Sequence, residues 1–172
     1  MKRPLKNTSI TVIAVAAVMF TAGYVVAQAT PKPPSNDWLL DAPDDVERFK
    51  LLQRYLRGFD QPMWEVGYRW ESVHDALSRN NFEAAVYHWE KIRTTIENGF
   101  LKRPARRANA EAIFIKSGVY DQVKKGFETK DRKLAWEAFT VARKACMSCH
   151  EAEKMGHMNN QRIIQTLTAP PT

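Results

Sequence analysis

The chain has 172 residues, of which 44% are hydrophobic and 26% charged, with two cysteines and a formal net charge of +7. That length suits one compact core and excludes a large multidomain assembly, and two cysteines exclude a disulfide framework. The basic excess points to nucleic acid only until its location is read: Lys2, Arg3 and Lys6 precede an apolar stretch with the look of an export signal.

Residues 10–22 (ITVIAVAAVMFTA) form the apolar core of that signal, and Ala27-Gln28-Ala29 supplies the small-x-small pattern of a signal-peptidase site. Residues 1–29 are therefore expected to be a signal peptide. The alternative is an uncleaved anchor, since residues 10–29 are just long enough to span a bilayer. Removal of residues 1–29 takes away three of the 26 basic and none of the 19 acidic residues, so the charge falls from +7 to +4. No lysine-rich block remains, and nucleic acid is not expected as a partner. No second apolar run of spanning length follows, which places the remainder in the periplasm, with a membrane involved only if the segment is uncleaved.

Residues 30–40 open with Thr30-Pro31-Lys32-Pro33-Pro34-Ser35 and read as an extended Pro-rich tether. Beyond it there is no period-two alternation and no repeat, and the expected fold class is all-α. A leader helix is predicted within residues 41–59, starting at Asp41-Ala42-Pro43-Asp44 and carrying Val46, Phe49, Leu52, Tyr55 and Leu56 on one face. That face needs a cover: the rest of the chain, a second copy in a homodimer, or a partner. Residues 60–157 then divide into four helices. The first has Pro62 in its first turn and a stripe of Met63, Val66, Trp70, Val73 and Leu77. The second is capped by Asn81, carries Phe82, Ala85, Val86, Trp89, Ile92 and Ile96, and stops at Gly99. The third follows Pro104, carries Ala110, Ile113, Phe114, Tyr120, Val123 and Phe127, and bends near Gly118. The fourth starts near Asp131, carries Leu134, Ala138, Val141, Ala142, Ala145 and Cys149, and ends around Gly156, with residues 158–172 as a tail. Four amphipathic helices of about five turns with short connections most simply form an antiparallel four-helix bundle with one extra N-terminal helix.

The chemistry lies in Cys146-Met147-Ser148-Cys149-His150, a CxxCH motif. Thiols three residues apart on a helix lie on adjacent parts of one face and can each add to a vinyl group on one porphyrin edge. The following histidine then supplies a nitrogen to the iron, the pattern of covalent c-type haem attachment. A CxxC redox pair would want a βαβ context, a zinc site two further ligands, and a plain disulfide leaves His150 idle.

On these residues the chain resembles the class II cytochromes c, the group of cytochrome c′ and its low-spin relatives. Its CxxCH is followed by only 22 residues, at the end of four predicted helices. The resemblance covers residues 60–154 and leaves out the leader helix. The connections at Asn80-Asn81 and at residues 99–106 are shorter than is usual there, and Lys154 matches only approximately the basic residue that follows the haem histidine. The resemblance implies one covalent haem c on Cys146, Cys149 and His150, and a sixth ligand from the first bundle helix in the low-spin branch.

Helix geometry reaches that helix independently. In an alternating bundle the start of the first helix lies beside the end of the fourth, so Met63 shares an end with His150, and Gly67 one turn on leaves room for a flat macrocycle. The competing reading makes Met63 a core methionine beside a five-coordinate iron. His74 lies about 16 Å further along the helix, and His88 is mid-helix. Met155, His157 and Met158 follow the motif too closely to cross to the opposite face while the helix continues. The loop Lys102-Arg103-Pro104-Ala105-Arg106-Arg107 falls at the same end, where Arg106 and Arg107 are candidates for haem propionates or acidic partner surfaces. Arg69 is the one weak candidate for a peroxidase-type distal group, so no enzyme is expected. The function expected is one-electron transfer between envelope redox proteins; the alternative is a cytochrome c′-like protein that binds nitric oxide or carbon monoxide on an open iron.

Overall fold

The computed structural model describes residues 36–170. The candidate signal or anchor and the prolines of the tether lie outside them. Among the described residues, no helix is long and apolar enough to cross a membrane. The chain divides into two compact units, residues 1–41 and 42–172. In the first, the described part is a turn closed by the Asp41 amide donating to the Asp37 carbonyl at 2.8 Å.

The second unit is helical throughout its regular structure, with no strand among the described residues. Helix α1, Asp45–Leu56, starts at Asp44 rather than Asp41, because the Asp44 carboxylate accepts from the Glu47 amide at 2.8 Å and closes the cap. It ends where Arg57 turns left-handed (φ 60°). Helix α2 is Asp60–Ser78 and holds Pro62 buried in its first turn. Helix α3, Phe82–Lys102, is capped as expected by Asn81, which accepts from Ala84 N at 3.1 Å. Gly99 does not stop it. The helix runs through Gly99, which is buried against the Phe59 ring, and ends at Lys102, just before Pro104.

The expected third long helix is broken. A 3₁₀ turn at Pro104–Arg106 leads into α4, Arg107–Ala110, and a π-helical segment, Glu111–Ile115. Gly118 then sits at φ 85° before α5, Val119–Glu128. The break has a local cause: Ser117 Oγ donates to the Ile113 carbonyl at 2.8 Å and accepts from Val119 N at 3.3 Å, and Gly118 adopts the left-handed conformation at no steric cost. Helix α6, Arg132–Ala152, begins at Asp131, which accepts from Leu134 N at 2.9 Å. It stops four residues short of Gly156, and a 3₁₀ turn, Gly156–Asn160, and α7, Arg162–Thr166, follow. Residues 158–172 are thus more than a tail. Ile164 is buried, its carbonyl accepts from Arg143 Nε at 2.8 Å, and the Thr168 carbonyl lies 3.2 Å from His74 Nε2.

Helices α2 and α3 pack against each other across the reversal at Asn80 (φ 56°), and α5 and α6 across the reversal at Lys130 (φ 59°); α5 also packs on α3, and α6 on α2. Lys130 Nζ to Glu83 Oε1 (2.6 Å) and Arg132 to Asn80 Oδ1 (2.8 Å) pin the two reversals together. The start of α2, the end of α3 and the end of α6 therefore meet at the opposite end. Between the helices lies an aromatic core. Trp89 donates to the Tyr120 carbonyl at 3.1 Å and packs on Phe114, Tyr120 and Phe127, while Trp70 stacks on Phe139 at 4.0 Å. Trp70, Val73, Leu77, Trp89 and Ile92 are buried as their stripes predict; Leu134, also expected on its helix's stripe, is 45% exposed, while the next two residues, Ala135 and Trp136, are buried. Helix α1 buries none of its residues, and Val46, Phe49, Tyr55 and Leu56 are exposed. The other described residues therefore leave those side chains of its apolar face exposed.

Two consequences are measurable. A Cβ at Gly126 would overlap that of Ala138, a backbone-fixed atom on α6, so Gly126→Ala must separate α5 from α6. An expected loss of about 1–3 kcal/mol in urea unfolding should be largely recovered when Ala138→Gly is added. His88 is half-buried with Nδ1 at 3.4 Å from the Arg69 guanidinium, and burial, reinforced by that cation, holds its pKa below the ordinary 6.5. The unfolded chain takes up the proton first as pH falls, so this contribution to stability is present above pH 6.5 and is lost below it, as pH drops through the folded value. Thermal unfolding between about pH 7.5 and 5 should show a smaller acid loss in His88→Gln than in the unsubstituted protein.

Candidate cofactor site

The end where α2 starts and α6 finishes encloses a cavity of about 1310 Å³. That exceeds the ~300–1,000 Å³ of ordinary small-molecule sites and leaves room for a macrocycle. Met63 and Gly67 line it from α2, Cys149 and His150 from α6, and Arg106 from the turn after α3. Five of the seven candidate residues named from sequence thus share one cavity, although Met63 and His150 come from opposite ends of the chain. A Cβ at Gly67 would meet only Ile163 Cδ1, at 3.5 Å, so this stretch of α2 presents little bulk to the cavity.

The two remaining candidates lie outside the lining. Cys146 is half-buried, as Cys149 is; burial pushes its thiol up to about 12, with Cys149 adding to the effect. Burial, then the Glu153 carboxylate, also raises Cys149, and Arg106 partly opposes that. Both are free thiols, not a disulfide. Arg107 is turned outward, pairing with Glu111 at 3.5 Å and lying over the Phe100 ring at 4.7 Å. Its neighbour Arg106 donates to Glu153 Oε2 at 2.6 Å, and Asn109 Nδ2 donates to Glu153 Oε1 at 2.9 Å, which ties the turn after α3 to the end of α6. Lys102 and Arg103 also line the cavity. Lys102 donates to the Leu56 carbonyl and Gln61 Oε1, and Arg103 to the Lys102 carbonyl, neutral acceptors that leave both charges uncompensated by those bonds.

His150 has a defined partner: its Nδ1 lies 2.8 Å from Asn159 Oδ1. With Nδ1 so engaged, Nε2 is the nitrogen left for the cavity. Asn159 belongs to no motif, and Met155 and Met158, expected to stay clear of the iron, also line the cavity. The expectation that these methionines follow the motif too closely assumed a helix continuing to Gly156. The helix ends at Ala152, Lys154 turns left-handed (φ 59°), and the reversal carries both side chains into the lining. Gln161 Nε2 donates to Met158 Sδ at 3.1 Å, which engages a lone pair of that thioether.

The other histidines fall where geometry puts them. His74 packs edge-on against Trp136 and Phe139, and Arg69 sits between Glu65 and His88, outside the cavity lining. Among the described residues no group of three or more His, Cys, Asp or Glu side chains is arranged to hold a bare metal ion. The lining offers one imidazole, three thioethers and a thiol, with three cations, Lys102, Arg103 and Arg106, interspersed with four carboxylates, Asp60, Glu65, Glu71 and Glu153. Such a set suits a haem: soft axial donors, a thiol beside the imidazole, and positive charge for propionates. Comparison with protein-family models, curated proteins and solved structures gives no match to this chain.

Removing the Arg106 guanidinium leaves Glu153, whose side chain is only 16% exposed, with Asn109 alone. Arg106→Met is expected to lower stability to urea by about 1–2 kcal/mol, the figure being modest because Arg106 itself is one-third exposed. Adding Glu153→Gln, which removes the stranded charge, should restore part of that loss in the same assay.

Proposed function

We propose that the chain is a monohaem c-type cytochrome of the class II kind, an exported four-helix bundle that carries one electron between envelope redox proteins. The observation that carries this reading is the convergence in one cavity of His150 and Cys149 with Met63, a thioether on the facing helix. Haem attached there would supply a one-electron iron couple. The remaining chemistry belongs to the chain.

With haem bound, Cys149 from the lining and Cys146 one turn back on α6 would hold it through thioether bonds, each S–H adding across a vinyl group with no oxidant consumed. His150 would hold the iron through Nε2. Met63 would supply a second, thioether ligand, a donor that favours the reduced iron and a high potential. Of the three methionines lining the cavity, Met63 is preferred. It stands on a different helix from the histidine, whereas Met155 and Met158 belong to the segment that continues from it, and Met158 Sδ is already engaged by Gln161. Lys102 and Arg103 would pair with propionates. The aromatic core holds the helices at fixed spacing, so little reorganisation accompanies a change of one charge.

Asp60, Glu65 and Tyr68 line the rim and are exposed, and the Arg57 ion pair is among the causes that hold the Asp60 carboxyl below the ordinary carboxylate range. The reading includes no substrate transformation.

Optical and EPR spectra of the ferric protein test the assignment. The unsubstituted protein is expected to be low-spin and Met63→Ala high-spin, while Met155→Ala and Met158→Ala stay low-spin. Cys146→Ser/Cys149→Ser should lose covalent haem. A high-spin unsubstituted protein whose spectrum ignores Met63→Ala would overturn the methionine-ligated carrier and leave the gas-binding alternative.

A further inference from the structure

We propose that Asn159 is a positioning residue for His150, setting its tautomer and the electron density it offers through Nε2. The inference rests on the reading of His150 as an iron ligand. An amide presents a donor at one end and an acceptor at the other, and the surroundings of Asn159 distinguish the two. Its Nδ2 lies 2.9 Å from Glu151 Oε1 and 3.3 Å from the Met147 carbonyl. A carboxylate and a carbonyl oxygen can only accept, so the NH₂ end must occupy that side. A flipped amide would set oxygen against two oxygens and forfeit both bonds. The Oδ1 end consequently faces the imidazole, and an amide oxygen can only accept. The hydrogen in the 2.8 Å contact must therefore reside on His150 Nδ1, which leaves the lone pair on Nε2. The tautomer is dictated by two acceptors on the far side of a neighbouring amide.

The chain builds this arrangement in steps. Helix α6 closes at Ala152 with Glu153 N donating to the Cys149 carbonyl at 3.0 Å, and Met155 N then donates to the carbonyl of His150 itself at 2.7 Å. Lys154, left-handed at φ 59°, reverses the backbone so that the turn Gly156–Asn160 folds back along the end of the helix. Gly156 is needed for this approach, because a Cβ there would lie 2.5 Å from Glu151 Oε2 and displace the carboxylate that anchors Asn159. Gln165 Nε2 donates to the Asn159 carbonyl at 2.7 Å and fixes the turn from its other side. Asn159 is thus held at its backbone and at both ends of its side chain.

A hydrogen-bond acceptor on Nδ1–H makes the imidazole a stronger electron donor, which favours the oxidised iron. The acceptor's strength should therefore move the potential in a predictable direction. Asn159→Leu fills similar space without an acceptor and is expected to raise the midpoint potential of the haem-loaded protein. A carboxylate at position 159 accepts more strongly and is expected to lower it. To avoid setting that carboxylate against Glu151, Asn159→Asp is combined with Glu151→Gln, whose amide restores a donor between the two, and is referred to Glu151→Gln alone.

Covalent haem content is measured first, followed by spectroelectrochemical titration of the unsubstituted protein, Asn159→Leu, Glu151→Gln and the double variant. Shifts of opposite sign, upward for Leu and downward for the double variant, support the assignment. A merely structural role, in which loosening the turn admits water, would shift both the same way. Same-sign shifts, or potentials coincident with their references, overturn it while leaving the haem reading intact. If Asn159→Leu fails to accumulate, the double variant against Glu151→Gln still decides, because only a downward shift agrees with the proposal. Unsubstituted protein isolated without covalent haem overturns the functional reading and this inference together.

Discussion

The short end of α6 governs more of this molecule than any other single feature. Had the helix continued through residues 153–158, nearly two more turns, they would have projected along its axis, and the chain would have left the cavity behind. Instead Glu153 and Met155 return their amides to the last turn, and Lys154 takes a left-handed conformation costing on the order of 1 kcal/mol for a residue with a Cβ. Glu153 is secured from outside by Arg106 and Asn109, so the helix stop is tied to the turn that follows α3. The cavity wall, the partner of His150 and two of the three methionines all depend on that reversal.

The remote end of the helices supports the site by a different means. The reversals at Asn80 and Lys130 are bound together by polar contacts on the surface, and the space between the helices is filled by wide aromatic rings with few alternative rotamers. Trp89 satisfies its indole N–H on the Tyr120 carbonyl, whereas those of Trp70 and Trp136 are buried without a hydrogen-bond partner. Each such group costs about 1–3 kcal/mol, so the packing gained from the rings must exceed that penalty. A core built this way transmits the spacing of α2 and α6 along their length, and that spacing sets the width of the cavity.

Electrostatics at the cavity end divide into two groups. Arg106 and Glu153 neutralise each other as a structural pair, while Lys102 and Arg103 bond to neutral oxygens and keep their charge at a rim that also carries Asp60, Glu65 and Glu71. Arg107, chosen from sequence on the same grounds as Arg106, faces away because the 3₁₀ turn rotates successive residues to different sides. Composition identified a basic cluster here; only the turn geometry sorts anchor from rim. Helix α1 belongs to neither group, since its apolar residues remain exposed.

The sequence by itself determined the helical class, the starts of α2, α3 and α6, and the motif that dominates the functional reading. All of these rest on local physics: apolar periodicity, side-chain oxygens capping amides, proline at a first turn, and thiols placed one turn apart. It also brought Met63 into view, through the rule that short connections make neighbouring helices antiparallel. What only the tertiary structure decided depends on which of several competing local and long-range contacts the folded chain makes. Gly99 stays helical because an aromatic ring covers it, the segment after Pro104 breaks where Ser117 and Gly118 compete with the helix, and α6 stops early because its last amides find partners across a reversal. Asn159 is the clearest case. Nine residues past a histidine, an asparagine carries no pattern of its own, and it becomes the partner of His150 only because a left-handed lysine folds the chain back and two oxygens leave its amide one orientation.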